Sequence, residues 1–117
     1  MGKWSAKKEV AIEMLQRSDV FIHLDPRQSG VVVPPQYRRG PHLILEIGLN
    51  MRVPIPDLKI GKKGIKCTLS FNRTPFFCII PWKSVYALVD QNSRGMIWHE
   101  DMPPEMAVRK PSNNLLN

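Results

Sequence analysis

Long apolar runs are missing from this chain. No stretch reaches the roughly 18 apolar residues that a membrane-spanning helix needs, so membrane insertion is not expected. The opening residues, MGKWSAKKEV, carry charges but no apolar segment, and do not read as a secretory leader. Met1-Gly2 begins like an N-myristoylation signal, yet Ala6 stands where that signal requires Ser or Thr. Cysteine is scarce as well. Cys67 and Cys78 form no CxxC pair and no histidine cluster accompanies them, which argues against a zinc site and against a secreted disulfide scaffold. Both lie in apolar strand patterns and are expected to be buried, reduced thiols of a cytoplasmic protein.

Catalytic signatures are also missing. No Gly-rich phosphate loop, GxSxG or HExxH occurs. His23, His42 and His99 are scattered, and the acidic residues do not pair at a spacing suited to acid–base work. Asp25 and Glu46 are carboxylate partners only if strand placement brings them together. No enzymatic activity, metal or cofactor is expected, and there is no internal repeat.

What is present is one basic domain. The 117 residues are 43% hydrophobic and 23% charged, enough for a single core but not for two. Seventeen Lys and Arg against ten Asp and Glu give a net charge of +7. The positives are spread over Lys7-Lys8, Arg38-Arg39, Lys59, Lys62-Lys63, Lys66 and Arg109-Lys110. A solvated basic surface, an acidic peptide partner and RNA are the three readings of that charge. Most of the prolines stand apart, as at Pro26, Pro41, Pro54, Pro56, Pro75 and Pro81, and punctuate short elements.

Residues 4–17 read as an amphipathic helix, with Val10, Ala11, Met14 and Leu15 at helical spacing. Strand patterns follow at 20–24, 31–33, 42–47, 58–60, 65–71, 76–80, 85–89 and 96–98, separated by Gly, Pro and Asn turns. One helix and a series of short strands predict a mostly β fold, a small, highly twisted barrel. The expected organisation is a helix at 1–18, a barrel at 19–102 and a tail at 103–117.

The hairpin at 65–80 is the best patterned segment. Ile65, Cys67, Leu69 and Phe71 alternate with Lys66, Thr68 and Ser70. A four-residue loop at 72–75 sets Phe71 against Phe76, Thr68 against Ile79 and Ser70 against Phe77, with Cys67 and Cys78 as diagonal neighbours. Phe77 and Ile79 then form an apolar floor on the outer face, beside small hydroxyl side chains. Such a surface suits an extended peptide, held by main-chain hydrogen bonds and alternate side-chain pockets. Lys62, Lys63, Lys66 and Arg73 are placed to favour acidic residues of that peptide.

GVVVPPQY at 30–37, the HLILEI strand, Leu58 to Phe71, Pro81 and VYALVDQNSRGMIW at 85–98 together resemble the stringent starvation protein B (SspB) family, in collinear order over residues 20–100. The Gly-Val-x-Val-Pro-x-x-Tyr box carries most of that specificity. The resemblance implies an adaptor of the ClpXP protease, with a dimerising N-terminal helix and an Sm-like or SH3-like barrel that binds the ssrA degradation tag. It implies a homodimer through Val10, Met14 and Leu15, and a tag groove at Asn50, Met51, Thr68, Ser70, Phe71 and Asn72, next to Phe77 and Ile79. Met106, Val108 and Arg109 would be the dock for a ClpX-type AAA+ unfoldase. The family pattern has a basic or bulky polar residue where Ser70 stands and polar residues where Phe77 and Ile79 stand, so this groove is more apolar and less charged. An RNA-binding small barrel is the alternative. It is supported by the +7 charge, but Phe77 is a single ring where base stacking wants two or three.

Overall fold

A computed structural model describes residues 3–107. Helix α1 (Lys3–Leu15) leads into seven strands: β1 (Val20–Leu24), β2 (Leu43–Ile47), β3 (Lys59–Ile60), β4 (Gly64–Phe71), β5 (Thr74–Pro81), β6 (Val85–Val89) and β7 (Gly95–Ile97). A four-residue helix, α2 (Pro104–Ala107), follows. The fold is mostly β, as the sequence predicts. Its strands form two antiparallel sheets, one in the order β2-β1-β6-β7 and the other β3-β4-β5. A closed barrel is not seen among the described residues. The segment 31–33, read as a strand, contributes one bridge residue, Val32 opposite Ile79.

Alternation decides which side chains go inside. Val20, Ile22 and Leu24 of β1, Leu45 and Ile47 of β2, and Ile65, Cys67 and Leu69 of β4 are buried, and the residues between them are not. Trp82 and Trp98 belong to the same buried cluster. The core therefore draws on both sheets and on α1.

The β4–β5 turn differs from the predicted one. It has two residues, Asn72 and Arg73, both in the left-handed region (φ 52° and 69°), and Phe71 pairs with Thr74. Positive φ at both central positions is the mark of a type I′ turn, whose twist matches that of the strands. Consequently Thr68 faces Phe77, Ser70 faces Pro75, and Cys67 lies directly opposite Cys78. The register is thus shifted by two residues from the predicted one, and an even shift preserves faces. Both cysteines remain free and fully buried, and burial pushes their thiols up, to about 12 for Cys67 and about 11 for Cys78.

Helix α1 lies on β1, β3 and the 3-10 turn Trp82–Ser84 of its own chain. Ala11, Met14 and Leu15 are buried there, and Val10 packs at the margin. Of the stripe Val10, Met14 and Leu15, assigned above to a homodimer, Met14 and Leu15 are therefore buried within the chain and Val10 only partly so. A single helix end can satisfy its apolar face intramolecularly, and this one does. Lys7 extends the same face one turn earlier and is completely buried. Its ammonium donates to the Trp82 carbonyl (2.7 Å), the Val85 carbonyl (2.6 Å) and Asp101 Oδ2 (2.7 Å), and stands 5.4 Å from the centre of the Trp98 ring. Lys7 is therefore not part of the basic surface.

Lys7→Met removes the ammonium from Asp101 Oδ2 and from two inward carbonyls. It is expected to destabilise the fold by about 3–5 kcal/mol, as is typical when one partner of a buried ion pair is removed. Lys8→Met, on the partly exposed neighbour, should change stability by less than about 0.5 kcal/mol. Urea denaturation of the two variants checks this, and equal midpoints would contradict it.

Candidate functional site

A groove of about 720 Å³ separates β2 from the outer side of β4. Its walls are strand residues Ile44, Leu45, Glu46 and Thr68 to Phe71, and its mouth is formed by Met51, Val53 to Asp57 and Pro75. That loop contains Val53-Pro54-Ile55-Pro56. Each proline fixes its own φ and holds the preceding residue extended, so the loop stays open beside the strands instead of coiling. Ile44 and Val53 are exposed, and Leu45 and Leu69 are buried behind them.

Two strand edges face this groove. β2 pairs with β1 on one side and with no strand on the other. In β4 the even-numbered residues send their main-chain groups toward β3, since Gly61 N–H donates to the Gly64 carbonyl at 2.8 Å and Lys59 faces Lys66. β3 ends there. Beyond it, the Thr68 N–H donates to Asp57 Oδ1 (3.0 Å) and the Thr68 hydroxyl to Asp57 Oδ2 (2.6 Å). A carboxylate thus takes the place of the next strand residue. These two bonds hold the Asp57 carboxyl below the usual range. Ser70, two residues on, has no strand on that side and presents its main-chain groups to the groove.

The groove's charge is negative. Glu46 and Asp57 are its only ionisable lining residues among the described ones. Burial, then the neighbouring Asp19 carboxyl, pushes Glu46 up. Glu46 is thus partnered by Asp19 and not by Asp25. Asp25 is pushed up by burial, but the hydrogen bonds and charge of Arg27 outweigh this and leave it lowered. Lys62, Lys63, Lys66 and Arg73 do not line the groove, contrary to their expected role there.

The predicted peptide site divides. Met51, Thr68, Ser70 and Phe71 meet in the groove. Asn50 and Asn72 are exposed outside it. Phe77 lies on the outer face of the hairpin, 49% exposed, and Ile79 lines a different hollow, with its main chain paired to Val32 at 2.9 and 3.0 Å. Of the docking residues, Met106 is in α2, and Val108 and Arg109 lie outside the described residues. Arg27 holds α2 to the β1 end, donating to Asp25 Oδ1 (2.9 Å) and Glu105 Oε2 (2.8 Å). The Arg27 guanidinium keeps the Glu105 carboxyl down at about 2.

Ile44, Val53, Pro54 and Ile55 line the groove without having been singled out in the sequence. The signal available was the Val-Pro-Ile-Pro run between two strand patterns. A second grouping was also missed. His23 Nδ1 and His42 Nε2 are 3.1 Å apart, with Tyr86 against both rings. The β1–β2 register sets His23 opposite Ile44 and hence diagonal to His42. Tyr86 occupies the bulge where β6 slips against β1, and its buried hydroxyl has no hydrogen-bond partner among the described residues. No protein-family model matches the chain, and no curated protein matches it.

Burial first, then the charge of His42, lowers His23 from its ordinary 6.5. The unfolded chain therefore takes up a proton before the folded one. His23's contribution to stability is complete above that ordinary value and is lost as pH falls through the lowered native value. Thermal melts from about pH 8 to about pH 5 should show a fall on the acid side that His23→Asn makes shallower. An unchanged acid slope in that variant would assign the effect to other groups.

Proposed function

We propose that the protein is a non-catalytic peptide-binding adaptor, and that the groove between β2 and β4 is its capture site. A bound segment adopts an extended form and adds as a strand to one of the two open edges. Its main chain supplies most of the hydrogen bonds, and alternate side chains enter the apolar wall. The observation that carries this reading is the Asp57–Thr68 contact, where a side chain occupies the place of a strand partner beside an edge that is otherwise open. The two sheets are then halves of an opened small barrel of the Sm-like or SH3-like kind.

The resemblance to the stringent starvation protein B family supports an ssrA-type degradation tag as the ligand and a ClpX-type AAA+ unfoldase as the recipient. Met51, Thr68, Ser70 and Phe71 are the residues common to that expectation and to the groove. Because the lining carries carboxylates and no cation, the ligand in contact with it is a neutral, small-apolar stretch of such a tag. Tethering raises the effective concentration of the captured chain at the protease, so moderate affinity suffices.

Fluorescence anisotropy of an ssrA-type peptide tests the reading. The wild-type protein should bind with a dissociation constant below about 100 μM. Ser70→Glu adds a third carboxylate to the wall and should weaken binding by about tenfold or more. Ser70 is exposed, so the variant should fold normally. Equal affinity in both proteins would exclude this groove, and absence of binding by either would exclude the ligand class.

A further inference from the structure

The lysines that the groove does not use gather at another surface. Two adjoining hollows, of about 390 and 380 Å³, share Lys63, Pro81 and Lys83. Lys66 lines the first and Lys62 the second. All four lysines are exposed. Neither hollow has an Asp or Glu in its lining. None of the four lysines forms an ion pair or a side-chain hydrogen bond among the described residues. Four like charges therefore stand around one depression without compensation.

The floor of this trough is apolar and partly bare main chain. Ile79 and Pro81 supply the apolar surface, and Gly30 and Gly64 line the space between them. Gly30 is in the left-handed region (φ +89°), and a Cβ there would press on Pro81 Cγ at 3.2 Å. A Cβ on Gly64 would fall on the Ile80 carbonyl oxygen. Neither position takes a side chain without disturbance, so the trough stays open.

The chemistry of rim and floor selects the partner. The rim calls for carboxylates or phosphates. The one aromatic residue of the lining, Trp82, is 1% exposed and its indole N–H already donates to the Gly61 carbonyl at 2.9 Å. Bases of a single strand would find no ring to stack on. An aliphatic side chain would find Ile79 and Pro81. We propose that this trough is a second docking surface, which takes an acidic peptide segment with one aliphatic anchor over Pro81 and its carboxylates on Lys62, Lys63, Lys66 and Lys83. The inference does not depend on what the groove between β2 and β4 binds.

Anisotropy titrations of the full chain test it with four labelled probes. These are an Asp/Glu-rich peptide of about ten residues with a central leucine, its Asn/Gln counterpart, the same acidic peptide with serine for the leucine, and an oligouridylate of similar length. The acidic leucine peptide should bind, and the amide and serine counterparts should each bind about tenfold more weakly. The double variant Lys63→Gln/Lys83→Gln should lose about tenfold for the acidic peptide and keep its affinity for the ssrA-type peptide. Circular dichroism of that variant should match the wild type. Equal binding of the acidic and amide peptides, equal binding of the leucine and serine peptides, or an unaffected double variant would each overturn the proposal. So would tighter binding of the oligouridylate with a steep logarithmic salt dependence, the signature of counterion release from a nucleic acid.

Discussion

The Lys7 ammonium is the point at which the separate parts of this chain are joined. Among the described residues its hydrogen bonds reach the Trp82–Ser84 turn that links the two sheets, the first residue of β6 and the 3-10 turn His99–Asp101 after β7. An isolated cation could not be buried here, since desolvation would exceed any packing gain. Three acceptors and the face of Trp98 make the burial tolerable. The contact is directional, so it fixes where α1 lies as well as that it lies there. Ala11, Met14 and Leu15 follow on the same helical face and fill the core behind it. The apolar stripe supplies most of the adhesion, and the lysine sets the register of helix against sheet.

With the helix engaged in this way, strand edges become the exposed resource of the fold. Open edges invite unspecific pairing, and proteins shield them. Here the shielding is uneven. On β5 it is partial, because Pro75 has no N–H to offer and Val32 pairs both main-chain groups of Ile79, while Phe77 between them is uncovered. β7 is only three residues long. On β4 the shielding is partial, as Asp57 covers Thr68 and nothing strand-like covers Ser70. β2 is uncovered along its outer side. Two of the open edges lie on either side of the groove, which gives one extended chain a place to pair.

Much of this was legible from alternation. Strand β4 lies where period-two patterning puts it, β1 and β6 lie where apolar, β-branched runs put them, and Phe77 is outside the core because face assignment needs only parity. What the sequence concealed has particular causes. Arg73 adopts a positive φ that arginine rarely takes, so the two-residue turn did not announce itself as Asn-Gly would. Pro75 looked like a loop residue but sits on a strand edge, where its missing N–H is harmless. Lys7 falls four residues before Ala11, on the buried face, but a lysine in an apolar stripe reads as an interruption and not as a member. The groove was legible only in half. Met51 and the β4 residues were placed by resemblance, whereas its other wall depends on how two sheets face each other, and no local pattern encodes that.

Charge follows the same division of labour. A net charge of +7 describes no surface of the molecule in particular. One lysine is spent inside, Arg27 is committed to Asp25 and Glu105, and the charged groups lining the groove among the described residues are carboxylates. The uncompensated lysines collect around Gly30, Gly64 and Pro81 on the face of the same three-stranded sheet that carries Ile79. β4 links the two regions, with Lys66 on the rim of the trough and Thr68 and Ser70 on the wall of the groove. A few residues of a single strand therefore separate an acidic cleft from a basic one. Because the fields have opposite sign, a basic chain is steered toward one and an acidic chain away from it toward the other. A partner with both kinds of segment would be oriented along β4 before any side chain is recognised in detail.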